Sequence, residues 1–467
     1  MVARAVAAGD AKHASKKDVE LLKKLCVEFK DELAALGAKT DKLDKRVTKL
    51  EKGIGSWQIS GRFKFDATFT GGDNGSASAW TKGRGKNDFT KDVARLFFRR
   101  QITEDTYFDS QFRIGSDWAG SVKTKDGTKI AADGRGDTHA FSARKFYVGT
   151  KLPFWGLGLK IGRTQFDFEG MYDIYDTNAL FGDWRYDGFW FTKKWSKVQA
   201  DGVIGRNQSG APRQYLANGF SGSGGNFLYA LNLKWTPTDK LPLGAMGYWQ
   251  QGDGKEANDG KKSIGNMQTY AIVAGYKFND GIALKGMYYW QKLSEGALLD
   301  EGTIYQTKVD DSQHAWKVIL DIKQNVLKFT DLWVEYSQMT NAFGGDNGAG
   351  DDNYCYSLGG KSGEPSVYWV RPINNETTKT WYVRAEQKWN KKWSTFLRFV
   401  HANFGTDNVD NATEWGLGVK YKLNPAMTFM LAYDELNYGD NVYGGEMCNG
   451  SVSGKDRVIF FQTDVKF

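Results

Sequence analysis

The sequence predicts an all-β transmembrane barrel of 16 to 18 antiparallel strands preceded by an α-helical coiled-coil stalk. Three observations carry this. From Trp57 to Phe467 apolar and polar residues alternate with period two, in segments of about ten to thirteen residues. The connections between those segments alternate between short and long. Ahead of them, Leu22 to Ile54 keeps a heptad.

Composition narrows the class before any motif is considered. Aromatics make up 15% of the 467 residues, with 55 Gly and only 7 Pro, a balance that suits many strands joined by Gly-rich loops. Hydrophobic residues are 40% and mean hydropathy is −0.55. No stretch approaches the roughly 18 to 20 apolar residues of a membrane helix, which excludes a helical membrane protein. The net charge of +8 is spread along the chain beside nearly as many acids, with no basic stripe, so nucleic acid is not an expected partner. Four scattered histidines (His13, His139, His314, His401) offer no metal set and no base beside a nucleophile, so neither an enzyme nor a cofactor is expected. Three cysteines make no disulfide framework. Cys355 and Cys448 lie in Gly- and Asp-rich loops, either pairing in an oxidising compartment or remaining thiols. The opening "MVARAVAAGD" is not a signal peptide, because Arg4 interrupts a run too short for an h-region. Either an export signal lies upstream or the protein is not exported.

The first regular element is the stalk, expected over residues 17–55. Cys26, Leu33, Thr40, Val47 and Ile54 occupy position a; Leu22, Phe29, Leu36, Leu43 and Leu50 occupy position d; the surroundings are mainly Lys, Asp and Glu. A helix lying on its own domain would instead carry a wider stripe of period 3.6. Thr40 at position a leaves dimer and trimer both open. Gly53 and Gly55 end the helix.

Residues 56–467 form the expected barrel domain, opening with "SWQISGRFKFDATF". Trp57, Ile59, Phe63, Phe65, Ala67 and Phe69 share one parity; Arg62, Lys64, Asp66 and Thr68 share the other. "TYAIVAGYKF", "AWKVILDIK", "TWYVRAEQKW" and "WGLGVKYKL" repeat the pattern, and eighteen such segments can be counted. Short connections fall at Glu104, Pro237, Asn279, Lys323, Asn390 and Asn424. Long ones cover 70–92, 119–138, 207–225, 294–312, 340–378 and 439–456. Tight turns on one rim and large polar loops on the other are what a membrane barrel needs, and a closed barrel satisfies every backbone group in lipid. A soluble sandwich has no reason to segregate its loops in this way. The last segment, "DRVIFFQTDVKF", resembles the C-terminal strand of bacterial outer-membrane proteins, which pairs with the first strand.

In such a barrel the function lies in what faces the lumen. Alternation places Arg62, Lys64, Arg95, Arg99, Asp109, Gln111 and Arg113 inward, and that many charges imply a wet interior. The stretch "ARKFYVGTKLPFWGLGLKIGRTQFDFEGMYDIYDTNALFGDW" resembles two strands and the third loop of trimeric bacterial porins, in which an acidic loop folds back into the pore. The resemblance implies that Arg144 and Arg163 project toward a constriction. It also makes Asp167, Glu169, Asp173, Asp176 and Asp183, in a loop from Phe166 to Trp184 without Lys or Arg, the acidic wall facing them. Opposed walls of this kind set a transverse field across an aqueous eyelet. Where those porins carry a P-E-F-G-G-like turn this chain has "NALFGDW", which leaves the acid at the narrowest point unassigned. "GGDNGAGDDN" (344–353) is rich enough in oxygen ligands for Ca²⁺ in an extracellular loop. It lacks EF-hand spacing and reads first as a solvated loop.

A helix followed by a porin-like barrel resembles the outer-membrane porins of the S-layer-homology, OmpM-like type, from about Lys17 to Phe467. Residues 1–16 then look like the remnant of an S-layer-homology domain. The resemblance implies a homotrimer in outer-membrane lipid with its stalk in the periplasm, tethered to peptidoglycan or its linked polymers through the missing N-terminal domain. It also implies a general-diffusion channel for ions and small hydrophilic solutes. The alternative is a plugged barrel that serves only as a structural tether or adhesin.

Overall fold

In a computed structural model the described residues are 20, 23–25, 28–29, 57–73, 87–114, 122–123, 129–130, 141–176, 179–207, 226–251, 266–293, 310–341, 343, 375–407, 409–439 and 454–467. The chain divides into two units, Met1–Trp57 and Gln58–Phe467. In the first, Glu20, Lys23, Lys24, Leu25 and Glu28 are helical, and the Phe29 N–H donates to the Leu25 carbonyl at 2.9 Å. The other heptad residues, Leu22, Cys26, Leu33, Leu36, Thr40, Leu43, Val47, Leu50 and Ile54, lie outside the described residues, as does 344–353.

The second unit is built on period-two alternation. Its strands are β1 (Trp57–Gly72), β2 (Asn87–Gln101), β3 (Thr106–Ile114), β4 (Val122–Lys123), β5 (Lys129–Ile130), β6 (Phe141–Lys151), β7 (Gly158–Asp167), β8 (Asp183–Lys194), β9 (Val198–Asn207) and β10 (Asn226–Thr238). They continue with β11 (Leu241–Gln251), β12 (Asn266–Asn279), β13 (Ile282–Leu293), β14 (Ser312–Ile322), β15 (Asp331–Thr340), β16 (Thr377–Lys388), β17 (Trp393–Asn403), β18 (Ala412–Asn424), β19 (Met427–Gly439) and β20 (Gly454–Lys466). β4 and β5 pair only with each other; among the described residues the other eighteen form one antiparallel sheet. Each of the eighteen pairs with the next along the chain, and β20 returns to β1. The count settles at eighteen rather than sixteen. The sheet closes on itself with no edge left to seek a partner, which is how a strand protein satisfies its backbone in lipid. Among the described residues no helix is long and apolar enough to cross a membrane.

The seam runs from Arg62↔Lys466 to Gly72↔Asp456. Beyond it the Gly61 N–H donates to the Phe467 carbonyl at 2.6 Å and the Phe467 N–H to the Gly61 carbonyl at 3.0 Å. A Cβ on Gly61 would come within 2.4 Å of the Phe467 ring, so a larger residue there has to displace that ring.

Short turns follow from local side-chain chemistry. Asn279 Oδ1 accepts from the Gly281 N–H at 2.8 Å, Asn390 Oδ1 from Lys392 at 2.8 Å, and Asn424 Oδ1 from Ala426 at 2.9 Å, each an Asx turn that reverses the chain in a few residues. The opposite rim carries the long connections, although its 404–411 link is as short as the longest turn, 323–330.

Burial is inverted relative to a soluble protein. Ile272 (52% exposed), Leu231, Leu417, Leu431, Ile459 and Phe461 face outward, while Lys64, Lys317, Glu335, Arg398 and Asp434 are buried inside. An aromatic belt runs round the outside of β11–β19 toward the loop rim. In it Trp249 donates to Tyr270 at 3.0 Å, and the ring pairs Tyr288–Trp290, Trp316–Tyr336, Tyr336–Trp381 and Trp415–Tyr433 lie 4.6 to 5.5 Å apart. Trp195, Trp235, Phe329, Trp389 and Trp393 are exposed toward the turn rim. Rings with an apolar body and a polar tip collect at the two membrane–water interfaces, so two belts flanking an apolar band mark a spanning barrel.

Candidate functional site

Between β7 and β8 the chain does not stay on the rim. Phe168, Ile174, Leu180 and Phe181 are buried, and Phe181 packs on Tyr248 of β11, Tyr289 of β13 and Phe343 at ring separations of 5.3 to 5.7 Å. Tyr248 also stacks on Phe166, the last inward ring of β7, and touches Phe168. Apolar residues that would be costly in an extracellular loop thus anchor residues 168–176 and 179–182 to the inside of the wall. Asp167 and Asp183 pair in register at the strand ends, which shortens the loop at both sides.

The loop's acids meet basic groups on the wall beyond. Asp173 pairs with Lys285 of β13 at 2.6 Å, and Lys285 also reaches Asp321 at 3.0 Å. Asp176 accepts from Arg384 of β16 and from the Tyr382 hydroxyl, both at 2.5 Å. Glu169 accepts from the Leu180 and Phe181 N–H groups and from the Tyr289 hydroxyl, each at 2.8 Å. Lys317 of β14 lies 3.7 Å from both Glu169 and Glu335. Among them the buried Glu169, Lys285 and Asp321 are paired and hydrogen-bonded, the condition under which burial is tolerated, and buried Lys317 sits between two carboxylates. Asp167 caps its own loop by accepting from Gly170 at 2.9 Å and from Tyr175. Desolvation pushes the Glu169 carboxyl up to about 7 despite Lys317.

The basic residues expected from the sequence lie elsewhere. Arg62 pairs with Asp464 across the seam at 2.6 Å, and Lys64 is buried on the same inner face. Arg95, Arg99 and Arg113 share the inner face with Gln111, since Arg95↔Arg113, Phe97↔Gln111 and Arg99↔Asp109 are in register. Arg144 falls at a bulge, skipped between Gln111↔Lys145 and Phe112↔Ala143. Arg163 corrects the expectation. It pairs with Asp187 at 2.8 Å, in register with Phe146 on one side and two residues from Ile161, both exposed. That is the outer face, because the inner face of β7 carries Thr164 and Phe166. No loop acid pairs with an arginine of β1–β7 among the described residues; Asp183's side chain lies outside them.

Sequence reasoning missed Lys285, Lys317 and Arg384, although each sits on the inward parity of a segment that alternates plainly. It also missed Glu414, Asp434 and Asp456, buried inside β18, β19 and β20. Parity marks them as inward; nothing local says what they meet.

Structural comparison agrees with the architecture. The barrel is similar to the outer-membrane protein OprD from Pseudomonas aeruginosa, at 12% identity and TM-score 0.52, covering 88% of this chain and 93% of that one. It is also similar to OccAB4 from Acinetobacter baumannii, at 14% identity and TM-score 0.50, covering 88% and 98%. No family model and no curated protein matches the chain in sequence. At these identities the likeness concerns the fold alone, a closed eighteen-stranded barrel of the outer-membrane-protein kind.

Proposed function

We propose that the protein is a general-diffusion porin passing ions and small hydrophilic solutes. The carrying observation is residues 168–176 and 179–182, held inside a charged lumen by Asp173–Lys285 and Asp176–Arg384. A soluble core has no use for such an arrangement, whereas an aqueous passage narrowed by a fixed loop requires it. Liposome swelling tests it: vesicles carrying the protein swell in small sugars. No swelling would favour the plugged tether or adhesin.

The assembly we propose is a homotrimer, with its contact on the face from β20 through β1 to β8. That face carries Phe461, Phe63, Phe65, Phe98, Phe112, Phe108, Phe146 and Phe189, several in ring pairs 4.9 to 6.4 Å apart. Apart from Trp57, no outward Trp or Tyr lies on these strands among the described residues, so the aromatic belt stops there. A bidentate Arg163–Asp187 pair in the middle of it is costly against lipid and acceptable against protein. The heptad at 22–54 supports a coiled-coil stalk, and the resemblance to the S-layer-homology porins is what suggests that this stalk tethers the barrel to peptidoglycan through an upstream domain.

A further inference from the structure

The inserted loop meets the wall at one point through sulfur. Glu169–Tyr172 forms a short 3₁₀ helix whose Met171 carbonyl accepts from Lys234 of β10 and whose Tyr172 hydroxyl donates to Asn232 Oδ1 at 2.7 Å. Met171 Sδ accepts from Asn232 Nδ2 at 3.3 Å, and Gln199 Nε2 of β9 points at it from 4.0 Å. Asp201 orients both amides, accepting from Gln199 at 2.9 Å and from Asn232 at 3.3 Å, so each presents its NH₂ end with a second hydrogen left for the sulfur. The two distances differ in kind. At 3.3 Å the Asn232 contact is direct, whereas 4.0 Å is the span of a sulfur–oxygen bond followed, at a bend, by a hydrogen bond of about 2.9 Å. One sulfur lone pair is thus engaged, and the other faces a donor across a gap the size of one oxygen atom. Met171 is half-buried, while Met246, Met267, Met287, Met339 and Met430 are no more than 5% exposed. Met427, at the start of β19, is half-buried too, but no donor faces its sulfur among the described residues.

We propose that Met171 is a modification site, oxidised by hydrogen peroxide and similar small uncharged two-electron oxidants to one epimer of methionine sulfoxide. In that step the open lone pair attacks one peroxide oxygen, the O–O bond breaks and an S–O bond forms. The second oxygen leaves as water, taking the proton of the first; sulfur loses two electrons and the peroxide gains them. Gln199 donates to the transferred oxygen, and Asn232 covers the opposite lone pair, so oxygen arrives on one face only. A sulfoxide oxygen is a far stronger acceptor than a thioether. The product therefore adds a hydrogen bond from β9 to the loop and fastens residues 169–172 to the wall. This site needs only that peroxide reach Met171, and it holds whether or not the barrel conducts.

Peroxide treatment of the full chain in lipid nanodiscs tests it, with peptide mass spectrometry following each methionine and the two methionine sulfoxide reductases, one for each epimer, reading the stereochemistry. Met171 is expected to oxidise about tenfold faster than the five buried methionines and to give about a tenfold excess of one epimer, the discrimination that one hydrogen bond supplies. Met427 should give nearly equal epimers, and Gln199→Leu should bring Met171 to the same. Equal epimers at Met171 in the unaltered protein, or oxidation no faster than at the buried methionines, overturns the site; neither reading depends on a variant that assembles. An excess that survives Gln199→Leu overturns it equally. In a planar bilayer, peroxide should make closures rarer in the unaltered protein and not in Met171→Leu, and unchanged closures overturn the fastening. A silent bilayer with the single epimer would sink the passage and leave the modification site; steady current with equal epimers would do the reverse.

Discussion

Asp176 shows how much one side chain can carry. It is 206 residues from Tyr382 in sequence yet accepts from it and from Arg384, fastening the inserted loop to β16. Removing one member of a buried pair costs about 3 to 5 kcal/mol because the other is left uncompensated. Asp173→Asn with Asp176→Asn is therefore expected to loosen the loop, free Arg384 and move the reversal potential in a salt gradient toward anions; an unmoved potential would place the loop outside the ion path. Glu169 predicts a pH effect. Its carboxyl titrates near 7 in the folded protein and near 4.5 when free, so the folded state holds a proton that the unfolded chain loses between those values. Loop docking weakens as pH rises from about 4.5 to about 7 and is flat beyond. Closures in the current should be more frequent at pH 8 than at pH 5, and Glu169→Gln should remove the difference. The acids were legible in the sequence as a run without Lys or Arg. Their partners were not, because Lys285 and Arg384 lie in segments whose alternation says only that they point inward.

Strands show why alternation is informative and where it fails. β1 was readable from Phe63 on: Phe63, Phe65 and Phe69 are exposed and Lys64, Asp66 and Thr68 buried, as parity requires, with only the small Ala67 buried on the outward parity. β7 was not. Its lower half puts Leu159 and Ile161 outward, but its upper half puts Phe166 inward because an apolar loop waits there to be packed. Arg163 sits where the two patterns meet, and a resemblance carried it to the wrong face. The seam was legible as a terminal strand that pairs with the first, yet nothing in the sequence singled out Gly61. Gly61→Val is expected to clash with the Phe467 ring and lower the temperature at which the barrel unfolds on a heat-modifiability gel. An unchanged temperature would mean that this end of the seam bears no load.

At the scale of the molecule, an even strand count, segregated loop lengths and aromatics near strand ends were all present in the sequence, because each follows from the bilayer acting as solvent. The face proposed for the subunit contact was not, since Phe63 and Ile272 read alike until the belt of Trp and Tyr is seen to stop. The proposed stalk makes a separate prediction. In a protein with Cys355→Ser and Cys448→Ser, Cys26 at heptad position a should give a disulfide-linked dimer on an oxidising gel, and a purely monomeric band would argue against a parallel coiled coil. The central claim is that a charged lumen narrowed by a tethered loop conducts. Planar-bilayer recording of the purified protein tests it most directly: stable ion-conducting steps are expected, and a bilayer that stays silent while the barrel is folded would contradict the account.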